Sequence, residues 1–190
     1  METPDAGAPL TESLSDAAAR LARFLTHVPG VAIGGLAVIG RVKARTTDDL
    51  DVLVLASASE IPRLLEAART CGYQYDEKHV NDFVEMGLMR FQSPLGQQVG
   101  YGLDVILADT EFLKQVVERA TPVSLAGADL PVATLEDLVL LKLDANRPLD
   151  IDDILSIKDA FGGSLDFEYL ERWADQLHIR DRLDLYFERR

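Results

Sequence analysis

Residues 31–54, VAIGGLAVIGRVKARTTDDLDVLV, decide how this chain reads. A short apolar run, Val31 to Ile33, ends in Gly34-Gly35; a brief helical or looped stretch rich in base (Arg41, Lys43, Arg45) follows. The next run, Leu50 to Leu55, is apolar almost throughout, as a strand buried on both faces should be, and it is entered through Asp49-Leu50-Asp51. Side chains at i and i+2 of a strand leave the same face. Asp49 and Asp51 therefore present two carboxylates to one point while Leu50 and Val52 enter the core. Hard oxygen ligands suit magnesium, and phosphoryl transfer commonly uses two such ions about 3.5 to 4 Å apart.

A third carboxylate is expected from Asp104, because Gly102 to Leu107 is an apolar strand interrupted by one acidic residue. Such a group is costly to bury unless paired, protonated or bound to a cation; the alternative is the solvent face of an edge strand. Gly34 and Gly35 have a complementary use, since without Cβ atoms the chain can turn tightly and let backbone N–H groups approach a triphosphate. Arg45 has two readings of equal weight: a surface pair with Asp48, or a grip on a phosphate tail. Lys142 sits among Leu138, Val139, Leu140, Leu141 and Leu143, so its ammonium must either snorkel to solvent or enter a polar cleft and meet the β- and γ-phosphates.

Outward from these residues the pattern is mixed. Ser13 to Thr26 carries Leu14, Ala18, Leu21 and Leu25 on one helical stripe. Ser59 is placed to cap a helix ending near Cys71-Gly72, and Met89 to Gln92 and Tyr101 to Ala108 read as strands. Thr110 to Arg119 reads as helix, then come extended pieces at Val123 to Leu125 and Leu130 to Ala133. Thr134 with Asp137 makes a capping-box-like start for Leu135 to Ala145. Asp150 is read as the cap of a helix over Ile151 to Phe161, and Phe167, Leu170, Trp173, Ala174 and Leu177 form a clear helical stripe, with Trp173 as core. The expected architecture is α+β: residues 1–12 a flexible lead-in, 13–133 a mixed sheet flanked by helices, and 134–190 a helical segment packed on it.

Composition narrows the partners. The 190 residues carry 19 basic and 32 acidic side chains, a formal charge of −13, which argues against broad adhesion to nucleic acid or anionic membrane. A single cysteine, Cys71, excludes a disulfide framework and a cysteine-rich zinc site and points to a reducing, cytoplasmic setting. His27, His79 and His178 lack a ligand-like spacing. No stretch approaches the ~18 uninterrupted apolar residues of a membrane span.

Ile33-Gly34-Gly35, a gap of 13 residues, Asp49-Leu50-Asp51-Val52 and then Asp104 resemble the signature of the polymerase β-type nucleotidyltransferase superfamily. More narrowly, Gly34-Gly35 with Ala37, then Arg45-x-Thr47-x-Asp49-x-Asp51, and later Leu135-Glu136-Asp137-Leu138 through Lys142, Arg147-Pro148, Asp150 and Asp153, resemble the AbiEii-type toxin nucleotidyltransferases. The resemblance implies the nucleotidyltransferase fold and transfer of a nucleoside monophosphate from an NTP to an acceptor hydroxyl, with pyrophosphate released. It assigns Asp49, Asp51 and Asp104 to two magnesium ions, with manganese as a substitute. It places Gly34, Gly35, Arg45 and Thr47 at the nucleotide and gives Lys142 a catalytic part. For toxins of this class it implies a tRNA 3′-end acceptor and a restraining antitoxin. Two other functions share these residues: a catalytically silent binding protein of the same fold, and a small-molecule, antibiotic-type nucleotidyltransferase. Members with Gly-Ser at the turn offer a hydroxyl to the phosphates, whereas Gly34-Gly35 leaves only backbone amides.

Overall fold

The computed structural model describes residues 11–96 and 99–187. The lead-in expected over residues 1–12 lies outside them except for Thr11 and Glu12. Helix α1 (Leu14–His27) starts where Ser13 Oγ accepts from the Asp16 N–H, 3.1 Å, and buries Ala17, Ala18, Leu21 and Phe24. Strand β1 (Gly30–Ile33) runs directly into α2 (Gly34–Arg41), and β2 (Asp49–Val54) follows. Helix α3 (Ile61–Thr70) and the short α4 (Val80–Met86) precede β3 (Leu88–Phe91), β4 (Gly102–Leu107) and α5 (Glu111–Glu118). A hairpin of β5 (Thr121–Leu125) and β6 (Ala128–Val132) leads to four helices, α6 (Leu135–Ala145), α7 (Pro148–Phe161), α8 (Phe167–Gln176) and α9 (Arg180–Tyr186).

The six strands form one sheet in the order β3-β4-β2-β1-β6-β5. The β2–β4 and β1–β6 pairs are parallel and the others antiparallel. This is the mixed α+β architecture that the sequence suggests. Leu50, Val52, Leu53 and Val54 of β2 are all buried, as the unbroken apolar run requires. The helices after β6 do not form a separate core: Leu138, Val139, Leu143, Ile154, Ile157 and Leu170 belong to the same hydrophobic cluster as the sheet. Among the described residues no helix is long and apolar enough to cross a membrane.

Several local details differ from the sequence reading. Gly34-Gly35 ends β1 as the sequence suggests, with Gly34 at φ +62°, but it opens α2 directly. The stop before α3 is organised by Ser57, whose N–H and Oγ both donate to Glu60, at 2.9 and 2.7 Å, and not by a Ser59 cap. Asp150 lies inside the first turn of α7, because Pro148, whose fixed φ suits a helix start, begins that helix after Arg147. Asp104 stands on an interior strand between β3 and β2, which removes the edge-strand alternative.

Candidate active site

Strand register gathers the acidic residues. In the β2–β4 pair Asp51 lies beside Asp104 and Asp49 beside Gly102, so the three carboxylates share one face at one end of the sheet. A Cβ at Gly102 would come within 3.2 Å of Asp49 Oδ1, so glycine there leaves space for the acid. On the other side, β1 aligns Ile33 with Asp51, which brings the start of α2 against the same point. The fit at Gly34 is close. An added Cβ would sit 2.0 Å from Asp51 Oδ2, and the positive φ also favours glycine. Gly35 is held by contact too, since its Cβ would fall 2.6 Å from Thr47 Oγ1.

Helix α2 has no side-chain cap, so the N–H groups of its first turn are without intrahelical partners where Gly34 and Gly35 line a cleft of about 520 Å³. Those groups and the positive end of the helix dipole favour an anion. Thr47 Oγ1 donates to the Asp49 carbonyl at 2.9 Å and thereby fixes the entry to β2. In this structure Thr47 shapes the backbone beneath the carboxylates.

The electrostatics are uneven. Burial, then the charges of Asp104 and Asp49, push the Asp51 carboxyl up to about 6, while Arg147 and Lys142 pull weakly the other way. Among the described residues no donor hydrogen-bonds Asp51. Asp49 and Asp104 have a partner that the sequence reading missed. Arg90, aligned with Asp104 in the β3–β4 pair, reaches Asp104 Oδ1 through Nε and Oδ2 through Nη2, each at 2.7 Å, and the same Nη2 meets Asp49 Oδ2 at 2.8 Å. In sequence Arg90 is only a polar residue alternating within a strand; its importance comes from a register that local pattern does not encode.

The opposite wall of the cleft is a network of ion pairs. Lys142, 6% exposed, donates to Asp150 at 3.1 Å and Asp153 at 2.7 Å. Arg45 pairs with Asp153, and not with Asp48 as one sequence reading had it, and Arg147 pairs with Asp150 at 2.7 Å. Lys142 does line the cleft, but its ammonium is directed at two buried carboxylates of α7. A lone lysine among leucines pointed to a polar environment; the partners, eight and eleven residues further on, depend on how α7 packs against α6.

The donor set of Asp49, Asp51 and Asp104 fits a hard divalent cation: three oxygen ligands from adjacent strands, one of them half-buried, like-charged on both sides and, among the described residues, without a donor. As placed, however, no three Asp, Glu, His or Cys side chains among the described residues form a metal-binding group. Arg90 supplies the positive charge at two of the three.

No curated protein sequence matches the chain. Solved structures do. It superposes on ANT(2″)-Ia, an antibiotic-resistance factor crystallised in complex with adenylyl-2″-tobramycin, with a TM-score of 0.53 at 15% identity, covering 87% of this chain and 98% of that one. JHP933 from Helicobacter pylori gives 0.51 at 15% identity over 93% of this chain and 80% of its own. An antigenic nucleotidyltransferase-like protein from Paracoccidioides brasiliensis gives 0.50 at 18% identity, with 95% of both chains covered. At such identities the likeness is one of fold, and the fold is that of the nucleotidyltransferases. A family model described as nucleotidyltransferase of unknown function (DUF6036) matches residues 12–184, and the chain belongs to that family.

Proposed function

We propose that the chain is a metal-dependent transferase that moves a nucleoside monophosphate from an NTP to the hydroxyl of a small acceptor. The observation that carries this reading is the convergence of Asp49, Asp51 and Asp104 beside the uncapped start of α2. Asp49, Asp51 and Asp104 would hold magnesium, or manganese in its place, and the bound ions would neutralise charge on the phosphates and on the attacking and leaving oxygens. The amides at Gly34 and Gly35 bind phosphate oxygens, and the exposed Arg147 is the cation most readily redirected to the triphosphate tail. Arg45 and Lys142 hold the wall of the cleft. The acceptor oxygen attacks the α-phosphorus, the bond to the β-phosphate oxygen breaks, and Asp104 takes the hydroxyl proton as pyrophosphate leaves.

A second hollow of about 430 Å³, lined by His79, Asp82, Met86 and Leu88, lies on the far side of Arg90 and Asp104 and suits the acceptor. A small acceptor is favoured over the 3′ end of a tRNA because Arg45, Arg90, Lys142 and Arg147, the cations of the cleft, are each already paired with carboxylates. RNA affinity rests on cations free to neutralise phosphates. The AbiEii-type toxin reading, with a tRNA acceptor and an antitoxin, therefore has less support here. A catalytically silent binding protein is the second reading, favoured by the Arg90 clamp on Asp49 and Asp104.

Incubation of the purified protein with magnesium, each α-labelled NTP and either hydroxylated amines or total RNA tests all of these. Label on a small acceptor, with pyrophosphate released, is expected. Label on RNA would restore the toxin reading, and magnesium-dependent NTP binding without pyrophosphate release would favour the silent one. Failure to bind any NTP with magnesium would sink the proposal.

A further inference from the structure

Arg90 stands where three spaces meet: the cleft at Asp49 and Asp51, the hollow beside His79 and Met86, and the pocket under Ser93 and Gly102. Its guanidinium uses Nε and Nη2 on the two oxygens of Asp104 and shares Nη2 with Asp49. These are the oxygens that the donor set offers to a cation. Hydrogen bonds from a guanidinium to carboxylates are among the stronger ones in proteins, and among the described residues they leave Asp51 as the one member of the trio without a positive hydrogen-bonding partner. The side chain of Arg90 is 56% exposed, so it can leave into solvent without opening the core, and the β3–β4 backbone pairing does not depend on it.

A divalent ion among Asp49, Asp51 and Asp104 would need the same lone pairs and would bring two positive charges beside a third, a repulsive arrangement at these distances. We propose that Arg90 is a resident counter-ion of the carboxylate site, exchanged for the divalent cation when it enters. The inference rests on the metal-dependent reading above. Displaced from Asp104, the guanidinium remains at the cleft and is free for a phosphate oxygen of the nucleotide. Its rotation away from Asp104 also shifts a side chain that lines both the cleft and the second hollow. Cation and nucleotide then assist each other's binding, because the nucleotide offers Arg90 a new partner that the cation alone does not.

The test is a manganese titration, with free ion measured by electron paramagnetic resonance, on wild type, Arg90→Gln, Arg90→Lys and Asp51→Asn. Arg90→Gln should bind manganese about tenfold more tightly than wild type, since the ion no longer displaces a charged hydrogen-bonding partner. Its melting temperature should lie below wild type in chelator and rise more steeply with manganese. Arg90→Lys, which keeps the charge without the fork and is the safer variant for folding, should fall between. Manganese binding by wild type that is lost in Asp51→Asn but not tightened in either Arg90 variant would overturn the exchange and leave the metal-dependent reading standing. Manganese binding by neither wild type nor the Arg90 variants would overturn both.

Discussion

The two walls of the cleft handle charge in opposite ways. On the sheet side, three carboxylates face one guanidinium, and the most buried of them, Asp51, has no donor among the described residues. On the helix side, Lys142, Arg45 and Arg147 face Asp150 and Asp153, and every member has a partner. Buried charges left uncompensated cost stability and persist where a ligand completes them, whereas compensated ones fix geometry. The sheet wall therefore has the character of a binding surface and the helix wall that of a brace. Each wall can be challenged separately.

The largest effect is expected at Asp51. Asp51→Asn keeps the shape and removes a metal-seeking charge, so magnesium-dependent transfer should fall about a thousandfold or more, measured as pyrophosphate release. The same variant should fold at least as stably as wild type at pH 7.5 in chelator, because it relieves carboxylate repulsion. Undiminished transfer would remove Asp51 from the chemistry. On the brace, Lys142→Ala strips the ammonium from two acids that are each 2% exposed, and should cost about 3 kcal/mol in urea unfolding. An unchanged unfolding midpoint with weakened NTP affinity would instead put Lys142 in direct contact with phosphate.

The acid limb of the stability profile sharpens the contrast. The Asp51 carboxyl is pushed up to about 6 in the folded protein, from its ordinary value of 3.8. Between those values the folded state holds a proton that the unfolded chain has released, so lowering the pH through 6 stabilises the fold. The gain should be about 2 kcal/mol by pH 4 in chelator, read as the difference between wild type and Asp51→Asn. No difference between the two slopes would mean that Asp51 is already compensated. The smallest change is expected at Arg147, whose side chain is 73% exposed and whose pair with Asp150 is open to water. Arg147→Gln should shift stability by only about 0.5 kcal/mol, despite sharing Asp150 with Lys142. A loss as large as that of Lys142→Ala would show that exposure does not separate the two.

How much of this was legible in sequence follows the range of the interaction that fixes each residue. The strand holding Asp49 and Asp51 could be read because an unbroken apolar run reports burial directly. Leu135 to Ala145 was placed because Thr134 and Asp137 specify a helix start locally, and Thr134 Oγ1 does accept from the Asp137 N–H at 3.3 Å. Helix α4 was missed because seven residues with only Phe83 buried give no period to detect. Sequence alone starts α7 three residues late, because Asp150 looks like a cap while Pro148 has already begun the helix. Arg90 and the partners of Lys142 depend on strand register and helix packing, which one-dimensional patterns do not carry.

The brace also has a consequence in time. Arg45 and Asp153 are 108 residues apart, and Lys43 reaches Ser156, 2.5 Å away, across 113. The segment that leads into the acidic strand is thus anchored to a helix synthesised more than a hundred residues later. Contacts of such separation carry a loop-closure entropy that local ones do not, and they form late. A growing chain can complete α1 and β1 well before anything holds residues 43–48 in place. Pulse-labelled hydrogen exchange during refolding should accordingly find those amides protected no earlier than the amides of α7, so that the entry to the binding surface takes its shape only with the helix that braces it.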